Sequence, residues 1–254
     1  MSRSIHDITL YYPPHQEGDK LFTQRQNLVS DLYVQYLNRY KPPKTSRISV
    51  HLSDNDKVGG YFGSILSASV KFDIKKFWES SDIEKNRNIL DAVHRISMLC
   101  AKEFDWDIKP FKIAYEKVIE TNFVYGFESS IKLSRDKKHK ASVLLEKDLE
   151  KSTISVVFYN SNNEKLKCVK ILDSFQHIMF YGQLLNKHKW FNNEEFGLYT
   201  KGEELKIYAS LKDDEPKTII QPKNSDKDEL EGYLRRITYR RLENENDIIK
   251  WMNH

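Results

Sequence analysis

The stretch Leu90–Asp107, "LDAVHRISMLCAKEFDWD", decides the fold of this chain. Apolar residues recur in and around it at steps of three and four, which is the spacing of one buried face of an α-helix. The residues of this stripe are Ile89, Leu90, Val93, Ile96, Leu99, Cys100 and Phe104. The stretch is therefore predicted to be a long helix packed on a core.

His94 and Cys100 lie within this helix but do not form a metal site. They are six positions apart, so they point about 120° away from each other on a helix and cannot share an ion unaided. Cys100 is predicted to be a small core residue. His94 is predicted to be a boundary residue hydrogen-bonded to Asp91, with a functional base as the alternative.

The flanking residues predict a pair of helices over 82–122. Ser81 and Glu84 have the spacing of a capping box at the start of the first helix. Asp107 is predicted as the N-cap of the second helix, with Pro110 tolerated in its first turn. Because the link between the helices is so short, we expect an antiparallel pair.

The first 72 residues read as β-α-β-β. Alternating apolar residues predict strands at 5–12 and 47–53, and an amphipathic pattern predicts a helix at 20–40. The stretch "DNDKVGG" at 54–60 is predicted as a hairpin turn, with 61–72 as the partner strand.

The second half of the chain is β-rich. Its clearest stretch is "SVVFYNSNNEKLKCVKIL" at 155–172, where two runs of β-formers flank the polar turn "NSNN". Strands are predicted at 123–133, 139–147, 152–160, 164–172, 188–191, 195–200 and 204–210. The fold is therefore predicted to be α+β: a mostly antiparallel sheet, with an N-terminal helix and a central antiparallel helix pair packed against it.

One α+β domain is predicted over residues 1–211. The remainder, 212–254, is predicted to be a charged linker and a C-terminal tail, because 212–230 is charged and interrupted by Pro216 and Pro222.

Composition excludes several classes of protein. The 254 residues are 39% hydrophobic and 12% aromatic, which is typical of a globular chain. The net charge of +4 is small for a dedicated nucleic-acid binder. Two cysteines are too few for a disulfide framework or a zinc site, and neither a signal peptide nor an apolar run of about 18–20 residues is seen. We expect a cytoplasmic protein that has no membrane partner.

Catalytic motifs were not found, so the sequence predicts no catalytic residues, no metal and no cofactor. "DNDKVGG" begins like a calcium loop, but Val58 and Ile65 stand where an EF-hand needs an oxygen ligand and a glutamate. An enzyme site assembled across strands from His51, Asp54 and His177 stays open. Alternation leaves the direction of Cys168 ambiguous.

Two basic clusters have an ordinary interpretation and a functional one. "RDKKHK" at 135–140 is predicted to be a solvated hairpin tip. "YLRRITYRR" at 233–241 interleaves arginines with tyrosines, which suits phosphate binding and base stacking. Pairing with the acidic "ENEND" that follows is the favoured interpretation, and docking to an acidic protein surface and nucleic-acid binding are the less favoured alternatives. The arginines concerned are Arg235, Arg236, Arg240 and Arg241.

Three stretches carry a family resemblance: "WESSDIEKNRNILDAVHRISMLCAKEFDWDIKPFKIAYEKVIETNF", "YNSNNEKLKCVKIL" and "LNKHKWFNNEEFGLYT". In this order they resemble uncharacterised bacterial immunity-type proteins encoded beside polymorphic toxins. The likeness spans roughly residues 1–210. It implies a cytosolic α+β protein that neutralises a cognate protein toxin by binding it, and it supplies no functional residues.

The function predicted from these observations is non-enzymatic protein binding. Aromatic residues and carboxylates in two loop-like stretches are the predicted contact surface, since aromatics are favoured anchors at interfaces. Ordinary turn roles are the alternative for both stretches. The residues are Asp54, Asp56 and Tyr61 in "DNDKVGGY", and Trp190, Glu194 and Glu195 in "WFNNEEF".

Overall fold

The computed structural model describes residues 4–13, 18–175, 187–199 and 205–220, with the side chains of all but 173–175, 205 and 220. The protein is α+β, as predicted, with helices and antiparallel sheets. The chain folds into two compact units, Met1–Tyr125 and Gly126–His254. The single domain expected over 1–211 stays a prediction.

The first unit combines one mixed sheet with helices. Its strands lie in the order β1-β2-β4-β3, with β1, β2 and β4 parallel and β3 antiparallel to β4. The strands are β1 (Asp7–Tyr11), β2 (Arg47–Ser53), β3 (Lys57–Phe62) and β4 (Ile65–Lys71). The helices are α1 (Asp19–Tyr36), α2 (Ile74–Glu79), α3 (Asp82–Glu103) and α4 (Lys109–Glu120).

The predicted hairpin turn at 54–60 is wrong, because β3 already begins at Lys57. The turn lies at Gly63 and Ser64 instead, where Gly63 has a φ of 62° that favours glycine. The strand predicted at 61–72 is therefore β4, and it pairs with β2 in parallel rather than as a hairpin. The buried centre of the sheet explains this order, since Val50 of β2 lies beside Ala68 of β4 and both are buried.

The helices begin close to where the sequence predicts. The Glu84 carboxylate accepts hydrogen bonds from the Ser81 backbone N–H at 2.9 Å and from its hydroxyl at 2.7 Å, so the capping box is present. The predicted N-cap of α4 is off by one residue: Ile108 is the cap, although Asp107 still accepts from the Lys109 N–H at 2.9 Å. Helix α1 packs against both α3 and α4, and the antiparallel pairing of α3 with α4 stays a prediction.

The core of the first unit lies between the sheet and its helices. Most of the predicted stripe of α3 is buried there, with Ile89, Leu90, Val93, Ile96 and Cys100 fully covered, whereas Leu99 and Phe104 are only half-buried. This burial is what makes α3 stable, since an isolated helix gains little from propensity alone.

The second unit is built of two antiparallel sheets. The sheet order is β5-β7-β8-β9, with β6 on β7, in one of them and β10-β11-β12-β13 in the other. The strands are β5 (Tyr125–Glu128), β6 (Lys132–Leu133), β7 (Lys140–Lys147), β8 (Lys151–Tyr159), β9 (Lys165–Phe175), β10 (His188–Trp190), β11 (Glu195–Tyr199), β12 (Leu205–Ser210) and β13 (Lys217–Ile220).

The described part of the second half is built of β-strands, as predicted. The sequence-based prediction missed one strand, β13. The turn "NSNN" joins β8 to β9 as expected, with Asn163 at a φ of 66°. Strand β13 lies inside the predicted linker, so Lys217–Ile220 are structured against β12. Across the described residues, no helix is both long and apolar enough to cross a membrane.

Candidate functional site

A surface cleft in the first unit is lined by one of the predicted contact residues, Asp56. It has a volume of about 790 Å³ and is open to solvent. It combines an apolar floor with charged side chains at its margin. The lining residues are Asp56, Arg95, Met98, Leu99, Ala101, Lys102, Asp105, Trp106, Asp107 and Ile108.

The floor of the cleft comes from the end of α3 and the loop that follows. Met98 and Leu99 lie beside the buried stripe of α3 and are only half-buried, while Ile108 is exposed. Trp106 is buried, and its ring stacks on Phe104 at 5.7 Å and on Phe111 at 6.4 Å. The partly exposed apolar side chains of the floor therefore lie next to a cluster of packed aromatic rings.

The conformation of the loop between α3 and α4 depends on one left-handed backbone residue, Asp105. Asp105 takes a left-handed conformation with a φ of 53°, which aspartate tolerates better than most residues. This turn lets the Trp106 N–H donate to the Ala101 carbonyl at 2.8 Å. The result is that the Trp106 ring points inward while Asp105 and Asp107, on either side of it, are exposed.

An ion pair between distant parts of the chain forms one wall of the cleft. Arg95 Nε lies 2.8 Å from the Asp56 carboxylate, which also accepts the Lys71 N–H at 2.7 Å. Arg95 donates in addition to the Lys71 carbonyl at 2.5 Å. Because the pair is partly exposed, it contributes little to stability, but it fixes the start of β3 beside α3.

Of the three residues predicted in "DNDKVGGY", the structure places Asp56 in the lining of the cleft, and Tyr61 is connected to the cleft through Phe104. The Tyr61 ring lies 5.2 Å from Phe104, which in turn stacks on Trp106. The Tyr61 hydroxyl is hydrogen-bonded to Thr45 Oγ1 at 2.7 Å. Asp54 is exposed on the connection between β2 and β3 and does not line the cleft.

Phe62 is the most exposed large apolar side chain of the described residues, at 85%. It ends β3, next to the glycine of the β3–β4 turn, so its ring points into solvent. Strand β3 therefore begins directly after Asp56 of the cleft and ends at an exposed aromatic ring.

The predicted residues in "WFNNEEF" lie in the second unit and are engaged in local structure. The Trp190 indole N–H donates to the Lys132 carbonyl at 2.9 Å, and its ring packs on Phe196 at 5.2 Å. Glu194 pairs with Lys212 at 2.7 Å. Glu195 accepts from the Asn192 side chain at 2.7 Å. These contacts fit the ordinary turn and packing roles, and a contact role for this stretch stays a prediction.

The predicted partner of His94 is wrong. His94 Nδ1 lies 2.9 Å from the Tyr33 hydroxyl, whereas Asp91 accepts from Tyr115 at 2.7 Å. The His94 ring also packs on Tyr115 with centroids 4.4 Å apart. Burial among these rings lowers the pKa of His94, against an opposing effect of Asp91. His94 is therefore part of the packing between α1, α3 and α4.

The two cysteines differ in their surroundings. Cys100 is buried as predicted, and burial raises the pKa of its thiol to about 12, so it carries no thiolate near neutral pH. Cys168 is exposed, which settles the ambiguous alternation of its strand.

The alternative enzyme and nucleic-acid sites lie only partly within the described residues. His51 is exposed on β2, where its ring stacks on Tyr11 at 5.4 Å. Among the described residues, no three side chains of His, Cys, Asp or Glu lie close enough together to hold a metal ion. His177 lies outside the described residues, as do the four arginines of the nucleic-acid alternative: Arg235, Arg236, Arg240 and Arg241.

Sequence reasoning missed Phe62 and the floor of the cleft. Phe62 had a weak signal, since it directly precedes a glycine in a stretch with little apolar alternation. Met98 had none, because a methionine beside a helical stripe is as often buried as exposed. Compared with known protein families, curated proteins and solved structures, the chain has no match.

Proposed function

We propose that this protein is a non-enzymatic, cytoplasmic protein-binding module of the immunity type, which neutralises a cognate bacterial toxin by direct binding. The single observation that carries the proposal is the exposure of Phe62, 85%, at the end of β3 beside the turn of the β3–β4 hairpin. Aromatic side chains, phenylalanine included, are enriched at the centres of protein interfaces, so an exposed ring is available as an anchor for a partner.

The cleft supplies the rest of a contact surface. Interfaces combine an apolar centre with a polar margin. Met98, Leu99 and Ile108 provide partly exposed apolar area, and Lys102, Asp105 and Asp107 surround it. The aromatic contacts from Tyr61 through Phe104 to Trp106 connect the hairpin to this cleft within the first unit.

The outer edge of β3 is the third part of the proposed contact surface, after Phe62 and the cleft. Strand β3 is at the end of the sheet order, and none of its backbone groups hydrogen-bonds outside the sheet within the described part of the chain. Gly60 on this edge has no neighbour within 4 Å of where a Cβ would lie. A partner backbone can therefore approach β3 closely.

Local charge favours a basic partner surface. Asp56 is paired with Arg95, and the other charged residues that line the cleft are Asp105, Asp107 and Lys102. The lining of the cleft carries more acidic than basic side chains, although the net charge of the whole chain is +4. Such complementarity raises the rate of association with a cationic toxin.

The test is co-expression with the reading frames beside this gene, one of which the proposal expects to encode a toxin. The tagged protein is expected to retain the toxin on purification and to restore growth. Phe62→Ser is expected to weaken the affinity about 30-fold or more, as loss of an anchor worth about 2 kcal/mol implies, without changing the melting temperature. Leu166→Ser is the matched control, since Leu166 is exposed apolar surface of the second unit, at 51%.

Two results would contradict the proposal. If the unmodified protein neither protects growth nor retains the toxin, the immunity function is wrong. If Phe62→Ser binds as tightly as the parent, the hairpin is not the contact surface.

A further inference from the structure

The indole N–H of Trp106 is a hydrogen-bond donor that the protein itself leaves unused. Trp106 is only 5% exposed, and it lines the cleft beside the end of α3. Within the described part of the chain, its indole nitrogen donates to no acceptor, although it is not fully shielded from solvent. A buried tryptophan N–H usually has an acceptor, because an indole nitrogen can only donate. The cleft therefore contains a donor to which a bound molecule can supply the acceptor.

The other described tryptophans use their N–H groups within their own fold. Trp78 donates to the Tyr12 hydroxyl at 3.0 Å, and Trp190 donates to the Lys132 carbonyl at 2.9 Å. Because nearly all buried polar groups in folded proteins are hydrogen-bonded, the exception at Trp106 calls for a reason. Its place in a cleft supplies one, since a donor kept for a ligand has no acceptor until the ligand binds.

Carboxylates stand on both sides of this donor. Asp105 and Asp107 line the cleft, and both are exposed. Within the described residues Asp105 makes no ion pair, and Asp107 uses one oxygen to accept the Lys109 N–H at 2.9 Å. Two carboxylates are therefore open to a cation that enters the cleft.

The rest of the lining suits the hydrocarbon part of a basic side chain. Met98 and Leu99 are half-buried and Ile108 is exposed, so apolar surface lies in the same cleft as the carboxylates. Lys102 forms no ion pair in the described part of the chain, so it leaves both carboxylates unneutralised. An occupant that satisfies all of these groups has a cation on an apolar stem and a hydrogen-bond acceptor beside it.

We infer that the cleft receives an arginine side chain of the protein partner, and that a main-chain carbonyl next to this arginine accepts the Trp106 N–H. The inference rests on the proposed function for the existence of the partner and specifies what that partner presents at the cleft. A guanidinium binds carboxylates through parallel N–H donors, while its methylene stem packs on apolar surface. A lysine ammonium is a strongly hydrated point charge and gains less from the same surroundings. An acidic segment would meet Lys102 but would also meet two open carboxylates of its own sign.

The test uses small probes and needs no toxin. N-acetyl-arginine methylamide carries the guanidinium and two carbonyls, and N-acetyl-citrulline methylamide is its neutral isostere. Each is titrated into the full chain with isotope-labelled tryptophan, and the Trp106 indole resonance, identified by its loss in Trp106→Phe, is followed by NMR. The arginine probe is expected to shift this resonance with a dissociation constant of roughly 1–10 mM, as so small a ligand allows. The citrulline probe is expected to bind at least about tenfold more weakly, because it cannot make charge-assisted hydrogen bonds.

Variants of the two aspartates test the carboxylates. Asp105→Asn with Asp107→Asn is expected to weaken binding of the arginine probe at least about tenfold. The matched control is Glu79→Gln with Glu116→Gln, which removes the same charge from exposed sites of the first unit outside the cleft and is expected to bind like the parent. Each double variant is checked for an unchanged melting temperature before its affinity is compared.

Four results would overturn the inference: a Trp106 resonance that the arginine probe leaves unmoved, equal binding of the citrulline probe, tighter binding of N-acetyl-glutamate methylamide, or a shift that survives the aspartate variant. None of these results decides whether the protein retains a toxin on co-expression. Conversely, if the probes behave as expected but no toxin is retained, the proposed function fails and the arginine site of the cleft stands.

Discussion

Replacing Gly197 by alanine is the sharpest test of how the second unit is packed. A Cβ at this position would overlap the Ile207 carbonyl oxygen and lie 2.5 Å from the Tyr208 Cα. Carbon atoms pack at about 3.5–4 Å, so β11 and β12 would have to separate by about 1 Å. The atoms in the way belong to the backbone of the neighbouring strand, which cannot turn aside as a flexible side chain does.

The expected cost follows from that separation. Forcing atoms into a packed region costs about 1–3 kcal/mol, and stretching the adjacent ladder hydrogen bonds adds about 1 kcal/mol for each bond lost. We therefore expect Gly197→Ala to lower the free energy of unfolding by about 3 kcal/mol. This is a large share of the roughly 5–15 kcal/mol that stabilises a typical domain.

Gly126→Ala is the matched control in the same unit. Gly126 also lies in a strand, its φ is not positive, and no atom lies within 4 Å of where its Cβ would stand. Alanine there is expected to be neutral or to stabilise by up to about 1 kcal/mol, because it restricts the unfolded chain.

Urea unfolding followed by circular dichroism measures both variants. Hydrogen exchange of the β11 and β12 amides locates the effect, since two units need not unfold in one step. The steric reasoning is refuted if Gly197→Ala unfolds within about 0.5 kcal/mol of the parent and keeps its exchange protection, a change typical of an unremarkable surface site.

Two further predictions concern α3. Burial lowers the pKa of His94, so as the pH falls below about 6.5 the imidazole is protonated in the unfolded chain before it is protonated in the folded one. The free energy of unfolding of the parent should therefore decrease below this pH. His94→Gln should show a flatter dependence of that free energy on pH in urea melts. Cys100→Ser should cost about 1 kcal/mol, less than the roughly 2 kcal/mol of Val93→Ala, because the hydroxyl can donate to the Ile96 carbonyl just as Ser97 donates to Val93 at 2.7 Å. The reverse order in urea melts would contradict this account of the core.

The elements that the sequence predicts well are those with a local signal. The β2 segment matches its prediction at both ends, because Ile48, Val50 and Leu52 alternate with polar residues. Helix α3 could be predicted from its stripe of apolar residues and from its capping box. Strand β3 was missed because its residues are mostly exposed and include Gly59 and Gly60, so no apolar alternation marks it.

Long-range pairing accounts for the other errors. Nothing near β4 encodes that it lies parallel to β2, since that arrangement depends on β3 crossing to the far side of β4. Strand β13 is charged and looks like a linker, and only its pairing with β12 makes it a strand. The ion pair of Asp56 with Arg95 likewise joins residues from separate elements.

Two aromatic residues show why a contact surface is harder to predict than an element. Both Phe62 and Trp190 stand near turns beside carboxylates or glycines, and residue type alone ranks Trp190 as the better anchor. Trp190 lies two residues after the buried His188, so it shares the core-facing side of its strand and packs on Phe196. Phe62 follows the half-buried Tyr61, which takes the inward position of β3 and leaves Phe62 the outward one. The phase of a side chain in its strand therefore decides which aromatic residue a partner can reach, and that phase can be assigned only once the strand itself has been recognised.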